Sequence, residues 1–487
     1  MAKQSLKNKT VAGVGWSATD AILGNGITFL VGLVLARILS PDEYGLIGIV
    51  TIFITVLRGF VDSGFGTALV RKKEVSNIEY NTMFITNLVM SVVMYVVLFF
   101  GAPLIARFFG REELIALTRV SGTVLLIHAF AIVQYINLLK KIDFKTKTKA
   151  SLISSITSGV IGIGMAVGGM GVWALVGQLL SRDFIYMACL WYFNRWWPNF
   201  SFSKSSFRYM WGFGWKMLVS GLIDRVWAEL NQTVVAKFYS PAVLGQYTRS
   251  KEYAKLLSQN ITSIVSRVSY PVLAEVQDNK TRMIAAYRKI IKTTMFVTTI
   301  CMFSLGAVAE PLIYCLIGPK WHQAATFLPL VCVSMSLYPL HAINLNMLKV
   351  QGRSDIFLYL EIVKKIINIG PLCLGIFIGI YWMLAGTIVS GIINFFLNTH
   401  YTGKKLNYSS WMQIKDVAPF YGMALVIALS VYFIKYLPIS YFIILPIQIV
   451  VGVGVFLLIV RKTQIAEYKE LKSIATKYLS RIKKRDF

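Results

Sequence analysis

Apolar stretches of roughly bilayer length follow one another along this chain with little between them. They lie at 11–38, 43–66, 82–107, 114–139, 149–169, 171–193, 208–238, 242–270, 289–317, 323–348, 356–379, 381–402, 417–437 and 441–460. A helix needs about 20 mostly apolar residues to cross the hydrocarbon core. Backbone groups find no water there, so only helices and closed barrels span it, and barrel strands are about half this length. The pattern predicts an all-α polytopic membrane protein of about 14 spans, the stretch at 242–270 being the most charged. Composition agrees: the 487 residues are 56% hydrophobic, with a mean hydropathy of +0.62. The intervals between spans are too short for a soluble domain; the longest are 194–207, 271–288, 403–416 and the tail 461–487.

The net charge of +28 would suggest nucleic acid in a soluble chain. Here the basic residues sit in short clusters between spans, which fits topology determination and no nucleic-acid partner. Placing the N-terminus in the cytoplasm puts Arg71-Lys72-Lys73, Lys140-Lys141, Arg195, Lys280, Arg288, Lys349, Lys404-Lys405 and the basic tail on that side, and leaves only about four basic residues opposite: Arg107, Arg111, Lys320 and Lys435. Both termini are therefore expected to be cytoplasmic. Lys3, Lys7 and Lys9 precede a long apolar segment with no cleavage-site pattern, so the first span reads as retained. The five cysteines, Cys189, Cys301, Cys315, Cys332 and Cys373, fall in apolar runs without metal-ligand spacing and read as small hydrophobes.

The chain repeats itself. RILSPDEYG at 37–45 returns as KFYSPAVLG at 237–245, GVGW at 13–16 as GFGW at 212–215, NLLK at 137–140 as NMLK at 346–349, and WALVG at 173–177 as WMLAG at 382–386. The order is kept, with offsets of 200, 199, 209 and 209. Six spans separate the copies, an even number, so the repeats are expected to be parallel and related by an axis along the membrane normal, with a substrate site where they meet. The expected divisions are an N-lobe at 1–205, a C-lobe at 206–410, two extra spans at 411–462 and a basic amphipathic tail at 463–487, which reads as lying on the inner leaflet.

Ionisable residues inside spans cost roughly 2.5–3.5 kcal/mol each if they face lipid, so they are expected to face water or one another. They concentrate on spans 1, 2, 7 and 8: Asp20; Arg58 and Asp62; Lys216, Asp224, Arg225 and Glu229; Arg249, Lys251, Glu252 and Lys255. Arg58 with Asp62 and Arg225 with Glu229 have the four-residue spacing of ion pairs along one helix face, a purely structural alternative. Arg182, Asp183, Glu361, Lys364 and Lys365 read as snorkelling near helix ends. Lys251 and Lys255 share a face and a sign, and with Arg249 they leave a surplus of positive charge that suits a phosphate or diphosphate. His128 and His341 sit within apolar runs and read as core hydrogen-bonding groups rather than proton relays. No Gly-rich phosphate loop of the ATPase type is present, and no outer loop is long enough to carry a catalytic constellation, so neither an enzyme nor a cofactor is expected.

LARILSPDEYGLIGIVTIFITVLRGFVDSGFGTALVRKKE, then FYSPAVLGQYTRSKEYAKLL and YPVLAEVQDNKTRMIAAYRKI, resemble the polysaccharide flippases, the Wzx-type members of the multidrug/oligosaccharidyl-lipid/polysaccharide exporter superfamily. The resemblance runs along essentially the whole chain. It implies a two-lobed helical fold and translocation of an undecaprenyl-diphosphate-linked oligosaccharide across the bacterial cytoplasmic membrane by alternating access, for surface polysaccharide synthesis. It further implies diphosphate binding by Arg58, Lys216, Arg225, Arg249, Lys251 and Lys255 in a cationic cavity. With no ATPase motif in the chain, an ion gradient or the membrane potential is the expected drive, coupled through Asp62, Asp224 or Glu229. AELNQT at 228–233 departs from the family, many of whose members carry an Asp-Asn pair there. The expected partners are the lipid-linked oligosaccharide, membrane lipids and the polysaccharide polymerase machinery, with the chain itself monomeric. An ion-coupled drug or cation antiporter of the same superfamily is the alternative, and a membrane polymerase or glycosyltransferase a more distant one.

Overall fold

Serine caps, proline first turns and left-handed stops divide the chain into helices where the apolar stretches predict them. The computed structural model describes residues 15–16, 19–276 and 278–483, and every regular element among them is helical. Gly13, Val14, Lys3, Lys7 and Lys9 lie outside the described residues, as do the side chains of Arg267, Lys404 and Lys405. Contacts divide the chain into two units, residues 1–245 and 246–487.

In the first unit a π-helical turn, Asp20–Gly24, leads into α1 (Asn25–Ile38), followed by α2 (Pro41–Asp62), α3 (Phe65–Arg71), α4 (Asn77–Phe109), α5 (Leu114–Gly122), α6 (Val124–Lys140), α7 (Phe144–Val167), α8 (Val172–Asn194) and α9 (Lys204–Phe238). α10 (Pro241–Glu275) begins there and continues into the second unit. The second unit adds α11 (Lys280–Ala307), α12 (Ala309–Ile317), α13 (His322–Ser336), α14 (Tyr338–Val350), α15 (Ser354–Ile367), α16 (Ile369–Phe377), α17 (Ile380–Leu406), α18 (Ser410–Tyr432), α19 (Tyr441–Thr463) and α20 (Ala466–Lys483). Nine helical segments among the described residues are long and apolar enough to cross a membrane, from Pro41–Asp62 to Tyr441–Thr463. The protein is a multi-pass α-helical membrane protein.

Within the first unit α8 packs on α7 and α6, α1 on α7, and α9 on α2, α3 and α4. Phe65, Met83, Phe84, Val133 and Met210 fill the core beneath α9. Within the second unit α11 packs on α18, α13 and α14, around Tyr287, Met295, Phe296, Met347 and Phe420. A buried polar knot crosses this core: Tyr287 donates to Asn344 Oδ1 at 2.6 Å, Thr402 donates to the same oxygen at 3.0 Å, and Asn344 Nδ2 donates to the Leu340 carbonyl at 2.9 Å. The tail helix α20 joins the second unit too. Tyr468 and Leu471 pack, with Ile465 just before the helix, on its hydrophobic cluster, and Glu467 and Glu470 pair with Lys292 at 2.9 Å and Lys289 at 2.7 Å. The face read as lying on lipid is thus covered by protein at those three residues, while the side chains of Ile474, Leu479 and Ile482 lie outside the described ones.

The repeated Ser-Pro motif has a local structural meaning. Ser40 Oγ accepts from the Glu43 amide at 3.3 Å, and Ser240 Oγ from the Val243 amide at 3.3 Å, so each serine caps its helix and each proline occupies the first turn. The closing glycines of the two motifs, Gly45 and Gly245, face each other's prolines. A Cβ on Gly45 would lie 1.7 Å from the Pro241 carbonyl oxygen, and one on Gly245 2.0 Å from that of Pro41. Each copy therefore packs into the glycine of the other, and no side chain larger than hydrogen fits at either.

Candidate functional site

The site is built where α2 stops. Its last turn carries Arg58, Gly59 and Asp62, and the next two residues, Ser63 and Gly64, both take left-handed backbone, with φ of 48° and 71°. That double reversal ends α2 and starts the short α3, making a discontinuous helix of the kind that carries transport sites. The break is braced: Ser63 Oγ donates to Asn87 at 2.8 Å, and a Cβ on Gly64 would lie 2.3 Å from the Gly214 carbonyl of α9. Gly59 admits α9 equally closely, since a Cβ there would lie 2.8 Å from Leu222 and 3.0 Å from Arg225.

This close approach brings Arg225 over Asp62. Arg225 donates to Asp62 Oδ2 at 2.6 Å, and His128 Nε2 of α6 lies 2.8 Å from Asp62 Oδ1. The three line a cavity of about 490 Å³ within the first unit, together with Tyr135, Tyr186 and Gly221. Their side chains are roughly a third exposed, at 31% for Asp62, 36% for Arg225 and 27% for His128, so the carboxylate is neither sealed in apolar packing nor fully hydrated. Further pairs lie in the same unit: Arg58 with Asp183 of α8, and Lys147 of α7 with Asp20 at 3.3 Å. Lys147 also lies 5.7 Å from the centre of the Tyr135 ring.

The partners differ from those read along single helix faces. Arg58 and Asp62 do not pair with each other, because each reaches a different helix; nor do Arg225 and Glu229, since Arg225 turns to Asp62 while Glu229 accepts from Gln232. Asp183 sits in the middle of α8 rather than near its end. His128, read as a core hydrogen-bonding group, stands at the cavity wall against a carboxylate. Of the residues singled out from the sequence, Asp62 and Arg225 line the cavity and Arg58 is one helical turn from Asp62. Lys216 and Asp224 are exposed on α9 and lie outside the lining. Arg249, Lys251 and Lys255 belong to the second unit: Arg249 pairs with Glu252 at 2.7 Å, Lys251 lies 6.0 Å from the Tyr247 ring centre, and Lys255 is exposed. Lys364 pairs with Glu361 one turn away, and His341 contacts Asn398 at 3.2 Å. Among the described residues no cluster of acids, histidines and cysteines has the arrangement of a metal site.

Set against known proteins, residues 34–326 match the model of a family described as polysaccharide biosynthesis protein. The succinoglycan biosynthesis transport protein ExoT of Rhizobium meliloti (strain 1021) is 25% identical, over 75% of this chain and 74% of its own. The lipopolysaccharide biosynthesis protein WzxC of Escherichia coli (strain K12) is 24% identical, over 84% of each. Among solved structures, the lipid II flippase MurJ in an inward closed conformation superposes with a TM-score of 0.73 at 14% identity, covering 93% of this chain and all of that one. An inward-facing multidrug resistance transporter of the MATE family aligns at 0.59 and 16% identity, covering 80% and 99%. At these identities the two structures establish the fold alone.

Proposed function

The chain belongs to the polysaccharide biosynthesis protein family, and we propose that it is a flippase that carries an undecaprenyl-diphosphate-linked oligosaccharide from the inner to the outer leaflet of the bacterial cytoplasmic membrane. The family match, the transport and lipopolysaccharide relatives and the flippase fold support this reading. The observation that carries it is the cavity inside a helical membrane unit whose largely apolar wall holds Asp62, His128 and Arg225. The chain would act as a monomer with both termini in the cytoplasm, its sugars passing through wet space, its prenyl tail remaining in lipid, and access alternating between the two leaflets. A polysaccharide polymerase would take the product.

The geometry suggests how charge would serve that cycle. Arg225 is a two-pronged donor for phosphate oxygens, and Asp62 now occupies it. A proton delivered to Asp62 would weaken that pair and release the guanidinium to a diphosphate, and loss of the proton would let Asp62 displace the substrate. His128, 2.8 Å from the other carboxylate oxygen, is placed to pass the proton. Asp62 is thus the favoured coupling residue, ahead of Asp224 and Glu229, and Arg225 the favoured diphosphate ligand in the first unit. Arg58 and Lys216 would support it in the first unit, and within the second unit Arg249, Lys251 and Lys255 are the proposed diphosphate ligands. A cation-exporting cavity would instead present surplus acid, and here, among the described residues, the one carboxylate lining the cavity has two basic neighbours.

The test is complementation of a strain lacking this chain, scored as surface glycan. Wild type restores it, whereas Arg225→Ala and Asp62→Asn, expressed at wild-type level, leave lipid-linked oligosaccharide in the inner leaflet. Full restoration by both variants would contradict the role assigned to this cavity.

A further inference from the structure

Where α4 begins and α6 and α8 end, a second hollow of about 450 Å³ opens in the first unit. Lys140, Lys141 and Arg195 line it with Asn77, Tyr80 and Trp196, and among the described residues no carboxylate lines it. Its cations divide by task. Lys140 donates to the carbonyls of Leu69, Lys72 and Lys73, closing the C-terminal end of α3. Lys141 donates to Asn194 Oδ1 at 3.2 Å, and the three-donor ammonium keeps further hydrogens for a ligand.

Arg195 is placed at a cost. It follows α8 with φ of 50°, in the left-handed region that helices usually end on with glycine. The turn that carries it is pinned on both sides: Gln134 donates to the Trp196 carbonyl at 2.7 Å, Asn194 donates to Gln134 Oε1 at 2.6 Å, and the amides of Asn199 and Ser203 bond to Asn81 and Thr82 at 3.2 and 3.0 Å. Of the acids near it in sequence, Glu79 is engaged on Lys72 at 2.6 Å and Asp143 on Thr146, and Glu74 is exposed. Tyr80 and Trp196 meet edge to face at 6.1 Å, and Trp197 beside them is exposed. Aromatic rings with cations at the ends of bilayer-length helices are the chemistry of a membrane surface.

We propose that this hollow is a binding site for a phosphate group at the membrane surface, held by Arg195 and Lys141 beside Tyr80 and Trp196, with the head group of an anionic phospholipid as its source. The site is separate from the transport cavity and does not rest on the flippase reading.

The test uses the full chain, purified and delipidated in neutral detergent. Phosphatidylglycerol, phosphatidylcholine and sodium phosphate are titrated separately, and binding is read by native mass spectrometry. Variants are Arg195→Gly, which the left-handed backbone accommodates, Arg195→Lys and Lys141→Gln. Wild type is expected to bind phosphatidylglycerol in preference to phosphatidylcholine. Each lost charge weakens binding about fivefold, Arg195→Lys loses less, and Arg195→Gly melts no lower than wild type. Sodium phosphate binding with the same dependence on Arg195, while phosphatidylglycerol shows none, assigns the site to the soluble ion and sustains the phosphate chemistry. If neither ligand responds to Arg195→Gly or to Lys141→Gln, the assignment is overturned.

Discussion

Asp62 takes a donor on each carboxylate oxygen, from helices that the chain supplies 66 and 163 residues later. Its role differs from that of Asp183, whose cationic partner among the described residues is Arg58. Two outcomes follow. Arg58→Asp alone places two acids together and is expected to lose function, and pairing it with Asp183→Arg is expected to restore most of it, measured by surface glycan in the complemented strain. Asp62→Arg with Arg225→Asp is expected to stay inactive although the pair is re-formed, because His128 then faces a cation and the diphosphate ligand has moved. In the second unit, Asn344→Ala orphans the hydroxyl of Tyr287 inside a buried core, while Thr402 keeps the Asn398 carbonyl at 3.0 Å. The expected loss is about 1–3 kcal/mol, read as a lowered Tm in detergent, with Tyr287→Phe milder because it removes the donor as well.

At the scale of elements, the same short motif starts α2 and α10, and its glycines are where the two copies touch. Gly45→Ala and Gly245→Ala drive a methyl into a proline carbonyl, and backbone has less room to yield than a side chain. Each is expected to cost about 3 kcal/mol or more, against about 1 kcal/mol for Ser40→Ala, which removes only a cap; thermal melting of the three variants ranks them. The helices themselves were legible in the sequence because hydropathy is local, and each predicted stretch coincides with a helix or a pair of short ones in the described residues. The interruptions were not legible. α2 stops at Ser63 and Gly64 inside an apolar run, and α5 gives way to α6 at Thr123 with neither proline nor left-handed glycine. The partners of the charged residues were not legible for the same reason. Spacing of four residues is visible along one helix, whereas Arg58–Asp183 and Asp62–Arg225 depend on which helices pack, and for Asp62–Arg225 the close approach of α9 is admitted by Gly59 and Gly64. His128 carried a faint signal, a titratable side chain in an apolar run, and only the placement of α6 beside α2 gave it a partner.

For the whole molecule, the first and second units each hold a core of their own, and the basic tail belongs to the second. The pairs Lys289–Glu470 and Lys292–Glu467 are partly exposed, so they contribute at most about 1 kcal/mol each and weaken in salt. Glu467→Lys with Glu470→Lys is expected to leave Tm nearly unchanged and to make α20 more susceptible to limited proteolysis. The central claim concerns transport. Its most direct measurement is the leaflet distribution of undecaprenyl-linked oligosaccharide in cells depleted of this protein, read with a membrane-impermeant probe of the sugar applied to spheroplasts. The account predicts accumulation in the inner leaflet, inaccessible to the probe, reversed by wild type and not by Arg225→Ala. Unchanged outward transfer in depleted cells, with surface glycan intact, would contradict it.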